Sequence, residues 1–61
     1  MIATIEQARM TLQEMEMDVR SDMGEDAVEA GWSDIVHACA DQCTPEVARE
    51  LLYNNGFGPG F

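Results

Sequence analysis

The chain has 61 residues, and its twelve aspartates and glutamates outnumber three arginines, with no lysine, to give a formal charge of -9. With 46% hydrophobic residues it is too apolar to be disordered merely because it is acidic. No apolar run approaches the roughly 20 residues that cross a bilayer, no export signal opens the chain, and anionic lipid would repel the charge. We expect a single cytoplasmic domain over residues 1–61, with no membrane partner and no direct binding of nucleic acid.

The small size of the domain predicts a partner subunit. A domain of this length buries only about 60% of the surface that its unfolded chain exposes. Below roughly 70–80 residues, proteins commonly add disulfides, a metal or a second subunit to a core of limited stability. Two cysteines are too few for a disulfide framework. We therefore expect a homodimer.

The first predicted helix covers residues 5–23. Thr4 followed by Gln7 has the spacing of a capping box, and Gly24 is a suitable left-handed stop. Apolar residues between them recur at steps of three and four, as in a heptad seam. This seam consists of Ile5, Ala8, Leu12, Met15 and Val19.

The second predicted helix covers residues 27–43, with Asp26 and Glu29 repeating the cap spacing. Gly31 inside it predicts either a kink or a short break, with Ser33 as a second cap. One broad face of a 3.6-residue period is apolar. It consists of Val28, Trp32, Ile35, Val36, Cys39 and Cys43.

The third predicted helix covers residues 45–54 and has the clearest boundaries. Thr44 is its cap, Pro45 is its first residue, and Asn55-Gly56 ends it. Its inner face consists of Val47, Ala48, Leu51 and Leu52. No alternating pattern predicts a strand, so the fold is predicted to be an all-α three-helix domain.

A short tail of glycine, proline and phenylalanine follows the third helix. If Gly56 is left-handed, a Schellman arrangement places Phe57 against Leu52. Residues 58–60 then predict a turn. This leaves Phe61 either as a piece of the core or as a docking group.

The charges leave an unpaired acidic stripe. Each arginine has a helical neighbour of opposite charge, and the expected pairs are Arg9 with Glu6, Arg20 with Glu16, and Arg49 with Glu46. The acids left over between residues 14 and 29 are Glu14, Asp18, Asp22, Glu25, Asp26 and Glu29. Like charges four residues apart destabilise a helix by a few tenths of a kcal/mol per pair, so a functional use is expected.

The spacing of these acids suggests a use. A continuous helix over residues 14–29 would span roughly 24 Å, and its seven acids, which are these six and Glu16, would average about one per 3.4 Å, close to the phosphate spacing of one DNA strand. We predict that the stripe imitates phosphates and binds the basic groove of a nucleic-acid-binding protein. The alternative is an ordinary solvated face.

Two apolar features could mark interfaces. Met10 and Met17 lie seven residues apart on the side of the first helix away from its seam, and they form a candidate oligomer face. The alternative is that both faces of this helix are buried. Trp32 is either a core anchor or an exposed interface residue.

The residues of the stretch "HACADQC" do not predict a catalytic or metal site. In a helix His37 points about 200° away from Cys39, and Cys39 with Cys43 supplies too few ligands for zinc. We expect both cysteines to be buried and His37 to lie at the surface. No acid-base or nucleophile constellation can be assembled, so we expect neither an enzyme nor a cofactor.

In composition, this small, acidic, lysine-free helical chain resembles the phage-encoded inhibitors that block nucleic-acid-handling enzymes or host defence complexes by imitating DNA. The resemblance implies a non-catalytic, anti-CRISPR-like inhibitor or regulator in the cytoplasm of a phage host. The alternative function is a helical homo-oligomerisation or adaptor module whose charge serves solubility.

Overall fold

Four α-helices follow one another in the computed structural model, which describes residues 1–58. They are α1 (Ile5–Met23), α2 (Glu25–Ala30), α3 (Trp32–Ala40) and α4 (Pro45–Asn54). The predicted all-α class is confirmed. The predicted helix over 27–43 forms two helices, however, so residues 1–58 contain four helices rather than the three predicted. The prediction for Phe61 lies outside the described residues, as does all of the predicted turn at residues 58–60 except residue 58.

The ends of α1 are those that the sequence predicts. The Thr4 hydroxyl accepts a hydrogen bond from the Gln7 N–H at 3.2 Å, which satisfies one first-turn donor. At the other end Gly24 has φ 93° and ψ 172°, and its N–H donates to the Arg20 carbonyl at 2.9 Å. The positive φ is one that glycine adopts without strain, so the chain changes direction here.

The second predicted helix starts earlier than expected and breaks in the middle. It begins at Glu25 directly after Gly24, so Asp26 lies in the first turn instead of capping it. There the carboxylates still interact favourably with the helix dipole. Gly31 ends α2 and occupies the cap position of α3, where no side chain caps the helix. The break alternative is therefore right, and Ser33 as its cap is wrong.

The end of α3 differs from prediction because the amino-terminal segment pairs with the chain that follows it. The Ile2 N–H donates to the Gln42 carbonyl at 2.7 Å, and the Thr44 N–H donates to the Ile2 carbonyl at 2.8 Å. Ile2 and Cys43 thus form one isolated parallel β-bridge. Helix α3 ends at Ala40, three residues before the predicted end.

The boundaries of α4 match the prediction, with one missing hydrogen bond. Thr44 precedes the helix and Pro45 begins it, but the Thr44 side chain makes no capping hydrogen bond. At the other end the Gly56 N–H donates to the Tyr53 carbonyl at 3.1 Å, and the Phe57 N–H donates to the Leu52 carbonyl at 2.9 Å. These two bonds are those of a Schellman motif, as predicted.

The core lies where α1, α3 and α4 meet. Its buried residues are Ala8, Leu12, Ile35, Val36, Cys39, Ala40, Cys43, Val47 and Leu51. The rest of the α1 seam packs against them, as do Leu52 and Phe57, so the predicted core role of Phe57 is confirmed. Trp32 is half-buried against the same cluster. The helices thereby fix which side of α1 remains exposed.

Candidate functional site

Three exposed acids lie along one side of α1. Glu14, Asp18 and Asp22 are four residues apart, so they follow one another along the helix surface at about 6 Å per step. Within residues 1–58, none of them has a basic nitrogen within 4.0 Å. We call these three residues the acidic flank. The three carboxylates of the acidic flank are exposed to solvent, and no basic side chain in the described part of the chain neutralises them.

The predicted stripe does not continue in a straight line beyond this flank. Because α1 ends at Met23 and the chain turns at Gly24, a continuous helix over residues 14–29 does not form. Helix α2 packs back against α1 instead. The predicted row with one acid about every 3.4 Å over roughly 24 Å is therefore wrong, since it required a single helix.

Glu25 is held by an ion pair that the sequence did not predict. Arg20 Nε donates to Glu25 Oε2 at 2.9 Å, and Arg20 Nη2 donates both to Glu25 Oε1 at 3.2 Å and to Glu16 Oε2 at 2.6 Å. These bonds lower the pKa of the Glu25 carboxyl and raise the pKa of Arg20. The predicted Arg20–Glu16 pair forms, but Glu25 is not an unpaired acid.

This ion pair also separates Glu25 from the acidic flank. Arg20 and Asp18 are two residues apart, so their side chains leave α1 in directions about 200° apart. Glu25 follows Arg20 to the side of α1 away from the flank. The other two predicted acids, Asp26 and Glu29, are exposed on α2. The six predicted contact residues therefore comprise a row of three, a pair on α2 and one residue held by Arg20.

Arg9 and Arg49 do not form the pairs that the spacing predicted. Both are exposed, and in the described part of the chain neither has a carboxylate oxygen within 4.0 Å. The expected pairs of Arg9 with Glu6 and of Arg49 with Glu46 are therefore absent. Exposed pairs of this kind contribute at most about 1 kcal/mol, so solvent competes effectively for these charges.

Methionines occupy the outer side of α1. Met10 is 61% exposed and Met17 is 56% exposed, so the core does not take up this second apolar set. Burial of both faces of α1 within the described chain, the alternative drawn from the sequence, is wrong. Whether these methionines form an oligomer interface stays a prediction.

A groove runs along α1 beside Met17. Its volume is about 640 Å³, and its other wall is formed by the start of α3 and the end of α4. The residues that line it are Arg9, Leu12, Gln13, Glu16, Met17, Arg20, Trp32, Asn54 and Asn55. One part of Trp32 packs on the core and another lines this groove, while its role as an interface residue stays a prediction.

The two cysteines are buried, as predicted, and their thiols face backbone carbonyls. Cys39 Sγ donates to the Ala8 carbonyl at 3.5 Å, and Cys43 Sγ donates to the Cys39 carbonyl at 3.3 Å. Burial raises the pKa of both thiols, and the neighbouring Cys43 raises the pKa of Cys39 further. A thiol with a raised pKa is a poor nucleophile, so these cysteines have a packing role.

His37 is exposed and has a structural contact of its own. Its Nδ1 lies 2.7 Å from the Ser33 carbonyl, and since a carbonyl only accepts, Nδ1 carries the proton. The ring also meets Phe57 in an edge-on arrangement, with centroids 5.3 Å apart. Across residues 1–58, no group of three or more His, Cys, Asp or Glu side chains could hold a metal ion.

Among the described residues, no helix has the length and apolar character needed to cross a membrane. Comparison of the chain with protein-family models, with curated proteins and with solved structures finds no match.

Proposed function

We propose that this protein is a non-catalytic inhibitor or regulator that binds the basic, nucleic-acid-facing surface of a partner protein. The observation that carries the proposal is the acidic flank of α1. Its three carboxylates are exposed, aligned and without a cationic neighbour in the described chain, and the protein as a whole has a charge of -9. Such a surface attracts basic partners at long range and repels nucleic acid.

The spacing within the flank supports a likeness to a phosphate backbone on a shorter scale than the predicted stripe. Successive carboxylates are about 6 Å apart along α1. Alternate phosphates of one DNA strand are separated by about 6.8 Å along the duplex axis. Arginine and lysine side chains that contact alternate phosphates could therefore contact successive carboxylates with small adjustments of their flexible stems.

The contact surface that we propose differs in one residue from the predicted set. It comprises the acidic flank together with Asp26 and Glu29, which are exposed and carry no ion pair within residues 1–58. Glu25 is left out because both of its oxygens already accept hydrogen bonds from Arg20. Its proposed role is to hold α2 against the end of α1.

The biological setting that we propose is that of a phage-encoded anti-defence protein acting in the host cytoplasm. A phage protein that occupies a nucleic-acid groove needs no catalytic group, and it needs charge on one face more than a large core. The proposal for the setting rests on the acidic, lysine-free composition.

Two matched variants test the role of the flank. The double variant Asp18→Asn/Asp22→Asn removes two acids four residues apart on α1, and Glu46→Gln/Glu50→Gln removes two acids four residues apart on α4. Both changes have the same effect on net charge, and they relieve two like-charge pairs on α1 (Glu14–Asp18 and Asp18–Asp22) and one on α4. Differences between them therefore report the position of the charge rather than its amount.

The experiment is capture of partner proteins on the immobilised chain from a nuclease-treated lysate, followed by elution with double-stranded DNA. We expect a nucleic-acid-binding protein that the wild type and the α4 variant retain, that DNA releases, and that the α1 variant loses. Equal capture by both variants, or a captured protein that DNA does not release, would contradict the proposal.

A further inference from the structure

A second side of α1 carries two acids and two arginines, whose own charges sum to zero, and Glu25 of α2 adds one negative charge beside Arg20 at its end. The residues on it are Glu6, Arg9, Met10, Gln13, Glu16, Met17 and Arg20, and we call it the neutral face. These residues lie within about 120° of one another around the helix, with the buried seam on one side and the acidic flank on the other. In a chain of charge -9, a second copy can approach this face with less repulsion than it would meet at the acidic flank, even with Glu25 included.

Charges at similar distances on either side of the centre of the neutral face have opposite signs. From Glu6 to Arg20 the charged positions read negative, positive, negative, positive, and the uncharged Gln13 lies in the middle. When a second α1 lies antiparallel with the two-fold axis at Gln13, Glu6 lies level with the partner's Arg20. Arg9 then lies within one residue, about 1.5 Å, of the level of the partner's Glu16.

We infer that two copies of this chain associate through the neutral faces of α1, packed antiparallel around Gln13. Each of the two ion pairs occurs twice because the interface is isologous. An in-register parallel arrangement would place each charge against its own copy, so the charge order selects the antiparallel one. Met10 of one copy then lies within one residue of the level of the partner's Met17.

The side chains on the neutral face are available for these contacts. Glu6 and Arg9 form no ion pair within residues 1–58. Arg20 uses Nε and Nη2 for Glu25 and Glu16, so the two N–H donors on Nη1 remain for the partner's Glu6. Met10 and Met17 supply the apolar surface that the association covers.

The groove beside α1 provides room for the partner's side chains. Arg9, Gln13, Glu16, Met17 and Arg20 belong both to the neutral face and to the lining of the groove. A second α1 over this face would therefore lie at the mouth of the groove, near Trp32. Arginine, tryptophan and methionine are residues enriched at the centres of protein interfaces.

The geometry of the dimer also leaves the acidic flank exposed. Glu14, Asp18 and Asp22 lie about 100° to 180° from the centre of the neutral face, so the second copy does not cover them. The contact between the two α1 helices is about 21 Å long and one helix wide, which places it among small interfaces. We expect the dimer to dissociate at low concentration and more readily at high salt.

The test is sedimentation velocity of the whole chain from micromolar to millimolar concentration. We expect a concentration-dependent dimer, with Arg9→Glu weakening it by about 10- to 30-fold, since each dimer contains the pair twice and each exposed pair turns from attractive to repulsive. The control is Arg49→Glu, which makes the same change of charge on α4 and should dimerise like the wild type. Circular dichroism confirms that each variant is folded.

A mixture of variants identifies the pairing. Glu16→Arg alone should weaken the dimer, and mixing it with Arg9→Glu should restore it, because the heterodimer again places opposite charges at both positions. The inference is overturned by a wild type that stays monomeric throughout, by equal weakening from Arg9→Glu and Arg49→Glu, or by a mixture that does not recover.

Discussion

Gly56 gives the sharpest test of how the sequence ends α4. Its φ of 87° lies in the region that L-residues avoid, and a Cβ built there meets no atom within 4 Å. Replacement by L-alanine therefore costs only the conformational penalty, about 1–2 kcal/mol. For a domain of this size that lowers the melting temperature by about 8–16 °C.

The chemical synthesis of a 61-residue chain allows the matched control, which is D-alanine at the same position. A D-residue favours positive φ and restricts the unfolded chain, so Gly56→D-Ala should raise stability by about 0.4–1 kcal/mol. The assay is thermal unfolding, followed by the circular dichroism signal at about 222 nm, where α-helices have a strong negative band. Equal destabilisation by L- and D-alanine would refute the reasoning, because it would reveal a steric clash instead of a backbone penalty.

Two further predictions follow from the ion pair and from the buried thiols. Arg20 lowers the pKa of Glu25, so the pair stabilises the fold above the ordinary pKa of glutamate, and this contribution is lost as the pH falls through the lowered value. Glu25→Gln should therefore be less stable than wild type at neutral pH and approach it in acid in denaturant titrations, whereas Asp18→Asn, which lies in the middle of α1 and removes no ion pair, should not be less stable than wild type at neutral pH. Burial raises the pKa of Cys39 and Cys43, so their reaction with a disulfide reagent at neutral pH should be slow in the folded protein and fast in urea; fast reaction of the native chain would contradict the buried positions.

Most of the fold could be predicted from short-range signals. The cap at Thr4, the positive φ at Gly24 and the Schellman bonds after α4 all depend on a few neighbouring residues, and the structure has each of them. The heptad seam of α1 likewise depends only on helical periodicity. Such signals are strong because each satisfies backbone groups that would otherwise be unpaired.

The features that could not be predicted depend on contacts between distant residues. A single bridge between Ile2 and Cys43 needs no alternating pattern, so nothing in the amino-terminal sequence indicates it. This bridge holds the chain after Ala40 outside the helix that local periodicity would extend. Gly31 indicates that the helix is interrupted, but only packing decides between a kink and two separate helices.

The candidate site was also predicted only in part, because some of its features depend on helical periodicity and others on contacts between helices. The exposure of Glu14, Asp18 and Asp22 follows from their position relative to the seam. The bond between Arg20 and Glu25 crosses the turn at Gly24, where a separation of five residues is not a helical spacing, so no rule for pairs within one helix would find it. Partner binding by the acidic residues stays a prediction.

The most direct test of the central claim is the affinity of the captured partner, once purified, for the two matched double variants. Fluorescence anisotropy of the labelled chain at low and moderate salt measures it. We predict that Asp18→Asn/Asp22→Asn weakens binding by about 2- to 30-fold at low salt, that this difference narrows as salt is added, and that Glu46→Gln/Glu50→Gln binds like the wild type. Equal affinities of the two variants, with the partner bound as tightly as by the wild type, would contradict a functional role for the acidic flank.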